Sequence, residues 1–217
     1  MTSLAPSDSL PVARTVRIAG VELLVGPGVF TPAPETESVV AAVLELLRDV
    51  RRPRVVDLCT GSGTIAYAVA AARPDAEVVA VEASADALVW TRRNGERLGL
   101  PVRLEHARAL DALPGESGYD LVVSNPPYVA DSELDRLTEV EARNPHSAML
   151  AGDDGLAVIR EVEQTAWRLL RPGGSLVVEH SDRQGRTAPA VFTPRWLDVA
   201  DHRDAEGRDR YLTARRP

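Results

Sequence analysis

The stretch Val55-Val56-Asp57-Leu58-Cys59-Thr60-Gly61-Ser62-Gly63-Thr64 decides how the rest of the chain is read. Its first half is a short apolar run ending near a carboxylate, the pattern of a strand buried in a parallel sheet. Its second half is a glycine turn. Gly61 and Gly63 can take positive φ and let a ligand approach the backbone closely. The small residues of Ile65–Ala72 then open a helix, whose first N–H groups are free to meet such a ligand. Asp57 at the strand end is placed to accept from a ligand amine. An ordinary tight turn uses the same two glycines, so the turn by itself assigns nothing.

Strands and helices alternate on both sides of this turn. Arg73-Pro74 stops the first helix, and Glu77–Glu82 reads as the second strand. Ala85–Leu98 is an amphipathic helix closed by Gly99 as its C-cap. Val102–His106 and Tyr119–Ser124 are further strands, and a long polar connection runs on to about Ala151. Asp154–Leu170 is helical, with Ala157, Val158, Val162, Ala166 and Leu169 on one side. Arg171-Pro172-Gly173-Gly174 turns into a fifth strand, Ser175–Glu179. Arg183–Val191 is a helix candidate. Strands near Trp196–Ala200 and at Arg210–Ala214, joined by Asp201–Asp209, form a closing hairpin. Upstream, a helix runs from near Glu35 to about Val50, and Val16–Val25 reads as a hairpin around Gly20. The alternation predicts an α/β fold, a parallel sheet with helices on both faces. With no internal repeat, the 217 residues divide into an N-terminal tail and short hairpin, 1–30, and a single domain, 31–217.

Composition narrows the class. A hydrophobic content of 44% with 26% charged residues marks a globular chain rather than a disordered one. The net charge of −7 argues against a broad nucleic-acid footprint, which needs a basic face. A lone cysteine excludes an internal disulfide and fits a reducing compartment. No apolar run is long enough to span a membrane, and no basic segment followed by an apolar one opens the chain. The expected location is therefore the cytoplasm; oligomeric state has no signature. The four histidines lack ligand-like spacing, so no metal is expected.

Three features fall at carboxyl ends of strands, where doubly wound folds bind ligands. The glycine turn is one. Glu82, about 20 positions after it, is placed to accept both hydroxyls of a ribose. The third is Ser124-Asn125-Pro126-Pro127-Tyr128. Each proline fixes φ and lacks an N–H, so the backbone leaves the sheet on a preset extended path. A planar NH2 group would find two acceptors there, the Asn125 side-chain oxygen and the Pro126 carbonyl, with Tyr128 against its flat face. That NH2 could belong to a protein side chain, an exocyclic base amine or a small molecule. A non-catalytic binding module is the reading from a different class. Cys59 reads as a small residue replacing glycine rather than as a reactive thiol. His180 is placed near the cleft mouth and Glu179 in the cleft; acidic Asp131–Arg143 reads as a flap or a surface helix.

Together these segments resemble a class I S-adenosylmethionine-dependent methyltransferase, and more narrowly the HemK/PrmC family of protein-(glutamine-N5) methyltransferases. The resemblance runs from about Val16 to Arg215. It rests on residues 28–37 (Gly-Val-Phe-Thr-Pro-Ala-Pro-Glu-Thr-Glu), on Asp57–Gly63 and Ser124–Val129, and on Gly152-Asp153-Asp154-Gly155-Leu156. Leu170–Gly174 and Gly207–Arg210 complete it. It implies a Rossmann-like seven-stranded, mostly parallel sheet whose last strand is antiparallel. It implies S-adenosyl-L-methionine held by Thr36, Asp57, Cys59, Thr60, Gly61, Ser62, Gly63, Glu82, Ala109 and Asn125. Asn125, Pro126, Pro127 and Tyr128 would be the catalytic set, gripping a glutamine amide of a protein substrate, a release factor among the candidates. The chain departs from the family pattern in four ways. A helical N-terminal substrate domain does not precede residue 28. Cys59 replaces a glycine, Arg108 stands where an acid usually lies near the adenine, and Asn144-Pro145 replaces Glu-Pro.

Overall fold

A computed structural model of the chain describes residues 13–139 and 141–217. The tail expected up to Pro11 lies outside them. The first elements are a hairpin, β1 (Arg14–Ile18) and β2 (Val21–Val25), then α1 (Thr36–Leu46). The alternating part follows as β3 (Arg54–Leu58), α2 (Thr64–Ala72), β4 (Glu77–Glu82), α3 (Ala85–Leu98), β5 (Val102–His106) and β6 (Tyr119–Ser124). The chain closes with α4 (Ala157–Leu169), β7 (Leu170–Glu179), α5 (Thr187–Phe192), β8 (Leu197–Arg203) and β9 (Asp209–Arg215).

The seven-stranded sheet has the order β5-β4-β3-β6-β7-β9-β8. All neighbours are parallel except β9, which is antiparallel to β7 and β8. The expected fold and its antiparallel last strand are therefore present. The switch point lies between β3 and β6, where the chain turns from building one half of the sheet to the other. Ligand sites of such sheets open there.

Two apolar layers sandwich the sheet. On one face Leu23, Val39, Val43, Val55, Tyr67, Val69 and Leu121 interlock. On the other, Val56, Val122, Ile159, Val162, Leu169, Leu176 and Phe192 do so. The hairpin contributes Ile18, Val21 and Leu23 to the first layer, so it shares the core of the sheet. Asn94 ties it further: this fully buried amide accepts from Leu24 N at 2.7 Å and donates to Leu24 O at 3.0 Å and Ser62 O at 2.9 Å.

Three expectations shift. β7 begins at Leu170 because the Pro-Gly-Gly segment is absorbed as a register shift against β6 between Tyr119 and Leu121. α4 starts at Ala157 rather than Asp154; Asp154 Oδ1 instead accepts from Leu156 N at 3.0 Å, ahead of the first turn. The acidic stretch forms short 3-10 turns at Asp131–Arg136 and Glu141–Arg143, not one amphipathic helix. Asp131, Asp135 and Glu139 recur at a spacing of four, which stacks like charges on one helical face.

Candidate active site

β3, β4 and β6 end at one cleft of about 500 Å3. The glycine turn forms its floor. Cys59 has φ +59° and Gly61 φ +58°, so the backbone coils through the left-handed region beneath the cleft. Thr60 N donates to Val81 O at 3.0 Å, and Thr91 on α3 donates its hydroxyl to Gly61 O at 2.6 Å. The turn is thus fixed before any ligand arrives.

Asp57 is buried under the turn. Its Oδ2 accepts from Thr60 Oγ1 at 2.6 Å and from Ala66 N at 3.0 Å, while Oδ1 is buried with no hydrogen-bond partner among the described residues. Burial outweighs those two bonds and pushes its pKa up to about 7, with Glu82 adding repulsion. Burial, with Glu82 next, also pushes the Cys59 thiol far up, so Cys59 is not a thiolate. The glycine-replacement reading of Cys59 is the one its backbone supports.

Glu82 is held by both oxygens. Oε2 accepts from Gly61 N and Oε1 from Ser84 N, each at 2.8 Å. Each oxygen keeps a lone pair for a further donor. Ser84 also caps α3, accepting from Ala87 N at 3.2 Å. Beyond Glu82 the wall is made by Ala83, Ala87, Ala107 and Ala109, and Arg108 reaches Glu161 on α4 at 2.6 Å.

The opposite end of the cleft is Asn125-Pro126-Pro127-Tyr128, with Phe30, Pro32 and Met149. Ser124 anchors the segment by donating to Leu58 O at 2.7 Å. Downstream, Val129 N donates to Met149 O at 2.8 Å and Ala151 N to Val129 O at 2.9 Å. Gln184 donates to Tyr128 O at 3.1 Å and Gly155 O at 3.2 Å. Among the described residues no donor reaches Asn125 Oδ1 or the Pro126 carbonyl. The two acceptors read from the sequence therefore both remain available to an incoming NH2.

The cleft gathers Thr36, Asp57, Cys59, Thr60, Gly61, Ser62, Glu82, Ala109 and Asn125 to Tyr128. Gly63 does not line the cleft; a Cβ there would collide with the Tyr67 ring, so packing alone already calls for glycine. His180 is a correction. It is fully buried, with Nε2 2.9 Å from Asp201 on β8, away from the cleft. Glu179, next to it, is fully buried beneath Thr36 rather than lining the cleft. Of the acidic stretch, Leu137 reaches the cleft wall. Sequence reasoning assigned no role to Gln184 or Glu161. Nor did it find Asn144 as the acceptor for Thr31 N at 2.9 Å, which ties the Phe30–Pro32 lip to the strap before Met149.

Comparison with known proteins agrees with this architecture. Residues 20–143 match the family model described as the methyltransferase small domain. A release factor glutamine methyltransferase of Streptomyces coelicolor is 52% identical over 90% of this chain and 71% of its own length. That of Mycolicibacterium smegmatis is 43% identical over 99% of this chain and 80% of its own. A 4-amino-L-phenylalanine/4-methylamino-L-phenylalanine methyltransferase of Streptomyces pristinaespiralis is 44% identical over 78% of this chain and 60% of its own. Among solved structures, a 16S rRNA N2 G1207 methyltransferase of T. thermophilus superposes with a TM-score of 0.72 at 24% identity. The match covers 98% of this chain and 52% of that one, and it speaks for the fold alone.

Proposed function

The chain belongs to the HemK/PrmC family of release factor glutamine methyltransferases, and from that membership we propose that Asn125–Tyr128 hold a glutamine side-chain amide of a peptide-chain release factor. The reaction is S-adenosylmethionine-dependent N-methylation of protein glutamine. One observation carries the assignment of the site: Asn125 Oδ1 and Pro126 O, which accept from no donor among the described residues, stand at the end of β6 in the cleft that also holds Asp57 and Glu82.

The residues fit the cofactor. Asp57 Oδ1, buried and without a partner among the described residues, suits the ammonium of its amino-acid portion. Glu82, pinned but not saturated, suits the ribose hydroxyls. Cys59 to Ser62 supply the close backbone, and Thr36 and Ala109 complete the walls. When bound, the cofactor supplies a methyl group on a cationic sulfonium.

An amide nitrogen is a weak nucleophile because its lone pair is delocalised into the carbonyl. Asn125 Oδ1 and Pro126 O would each accept one N–H, fixing the nitrogen's direction and raising its electron density. Holding a nucleophile in near-attack geometry contributes several kcal/mol, up to roughly 7–11 in the best intramolecular cases. Nitrogen gains the methyl and then loses a proton to water, so no general base is assigned. Tyr128 would pack on the amide plane, and Pro127 would hold it there.

A second reading is a small-molecule arylamine acceptor, favoured by the Streptomyces pristinaespiralis relative. A cytoplasmic address belongs to the same proposal, since the protein substrate resides there. The test is transfer of labelled methyl to purified release factors, with mass-spectrometric mapping of the modified residue. Label on one glutamine supports the proposal; label on small amines but no release factor selects the second reading.

A further inference from the structure

Thr36 Oγ1 donates to Glu179 Oε2 at 2.9 Å, and Asn125 Nδ2 lies 3.4 Å from the same Thr36 oxygen. Thr36 is 2% exposed and Glu179 is fully buried. A hydroxyl has one proton. With that proton committed to the carboxylate, Thr36 presents only lone pairs to Asn125, so the Asn125 amide must turn its NH2 inward and its oxygen toward the cleft. Glu179 Oε1 is buried with no hydrogen-bond partner among the described residues, so the carboxylate's one hydrogen bond there is the Thr36 proton. We propose that Glu179 and Thr36 are positioning residues that set the orientation of the Asn125 amide, keeping its oxygen as the acceptor for the substrate NH2. The role in methyl transfer rests on the function proposed above; the amide orientation itself does not.

The strand alternation explains the arrangement. Glu179 pairs with Tyr211 at the end of β7, with its side chain toward α1, where Thr36 begins the first turn. The charged and titratable groups around it are Glu35 before α1, Arg210 and Tyr211 on β9, and Tyr128 on the Arg210 side. Arg210 is itself held by Asp204 at 3.2 Å, and its charge favours ionised Glu179, while burial and Glu35 oppose it. Burial wins, and the Glu179 pKa is pushed up to about 7. Protonated Glu179 can donate to Thr36, which frees Thr36 to donate to Asn125 and lets the amide reverse. The productive orientation therefore belongs to the ionised form and is gained as pH rises through about 7.

The test uses Thr36→Val, Thr36→Ser and Glu179→Gln, each checked for folding by thermal denaturation. The Asn125 side-chain NH2 is observed by nitrogen-15 NMR and assigned by its loss in Asn125→Ala. In the unsubstituted chain its resonance shifts with pH through about 7. The shift persists in Thr36→Ser and disappears in Thr36→Val and Glu179→Gln. With saturating S-adenosylmethionine, Thr36→Val lowers kcat at least about tenfold while Thr36→Ser stays within about threefold. Glu179→Gln flattens the pH profile of kcat and leaves the cofactor Kd within about twofold. A pH-indifferent Asn125 amide in the unsubstituted chain, or one unchanged by Thr36→Val, overturns the relay. A relay intact by NMR in a chain that methylates no acceptor overturns the proposed reaction instead, and the relay stands.

Discussion

Gly155 lies directly under the carbonyl of Tyr128, so close that a Cβ at residue 155 would collide with that oxygen. The same Cβ would sit 2.9 Å from Gln184 Nε2 and 3.1 Å from Ala130 N, and Gly155 has φ +69°. The nearest of these atoms is backbone, the Tyr128 carbonyl, so it cannot yield as the end of a flexible side chain would.

Gly155→Ala should therefore push the Pro-Pro-Tyr segment outward. The expected loss is about 1–3 kcal/mol of stability, read by urea denaturation. Turnover should fall further than cofactor affinity, because Asp57 and Glu82 belong to other strands. Unchanged turnover in a folded variant would contradict this packing.

Cys59 sits at φ +59°, where a side chain costs about 1–2 kcal/mol. Cys59→Gly relieves that strain but adds unfolded-state freedom and loses a core contact. The expected change is neutral to about 1 kcal/mol more stable, while Cys59→Val costs about 2 kcal/mol or more because a β-branched residue resists this conformation. Equal losses in both variants would mean that the thiol, not the backbone, is what the position requires.

Asp57 gives the cofactor site a pH dependence. In the folded chain it holds its proton up to about 7, against an ordinary value of 3.8. Between those values the folded state binds more protons than the unfolded one, so its contribution to stability falls as pH rises through that window. A bound ammonium favours the ionised carboxylate, so cofactor binding below 7 expels a proton. Calorimetric affinity for S-adenosylmethionine should rise with pH and level off above about 7, and Asp57→Asn should weaken binding and flatten the slope. A flat profile in the unsubstituted chain would exclude Asp57 as the partner of that charge.

Much of this was legible in the sequence. β3, β4 and β6 are short apolar runs bounded by Arg-Pro, glycine or a carboxylate, and β5 alternates apolar and polar residues, so their positions could be read directly. The edge was less legible: β8 carries exposed Leu197 and polar Asp198 and Asp201, which lack a buried pattern. His180 was misplaced because a one-residue step along a strand reverses the face. The Thr36–Glu179 bond joins residues 143 positions apart, and the need for glycine at 155 depends on the backbone of Tyr128. Neither leaves a local signal. The packing of the Tyr67 ring against Gly63, one helical turn before it, leaves no such signal either.

The central claim is that Asn125 Oδ1 is the acceptor that grips the substrate amide. The most direct measurement compares Asn125→Ala with the unsubstituted chain for two quantities, kcat with a release-factor substrate and the calorimetric Kd for S-adenosylmethionine. Loss of one oriented hydrogen bond and of the near-attack geometry it holds predicts a kcat reduced at least about a hundredfold, with Kd changed less than about tenfold. An undiminished kcat in Asn125→Ala would contradict the account.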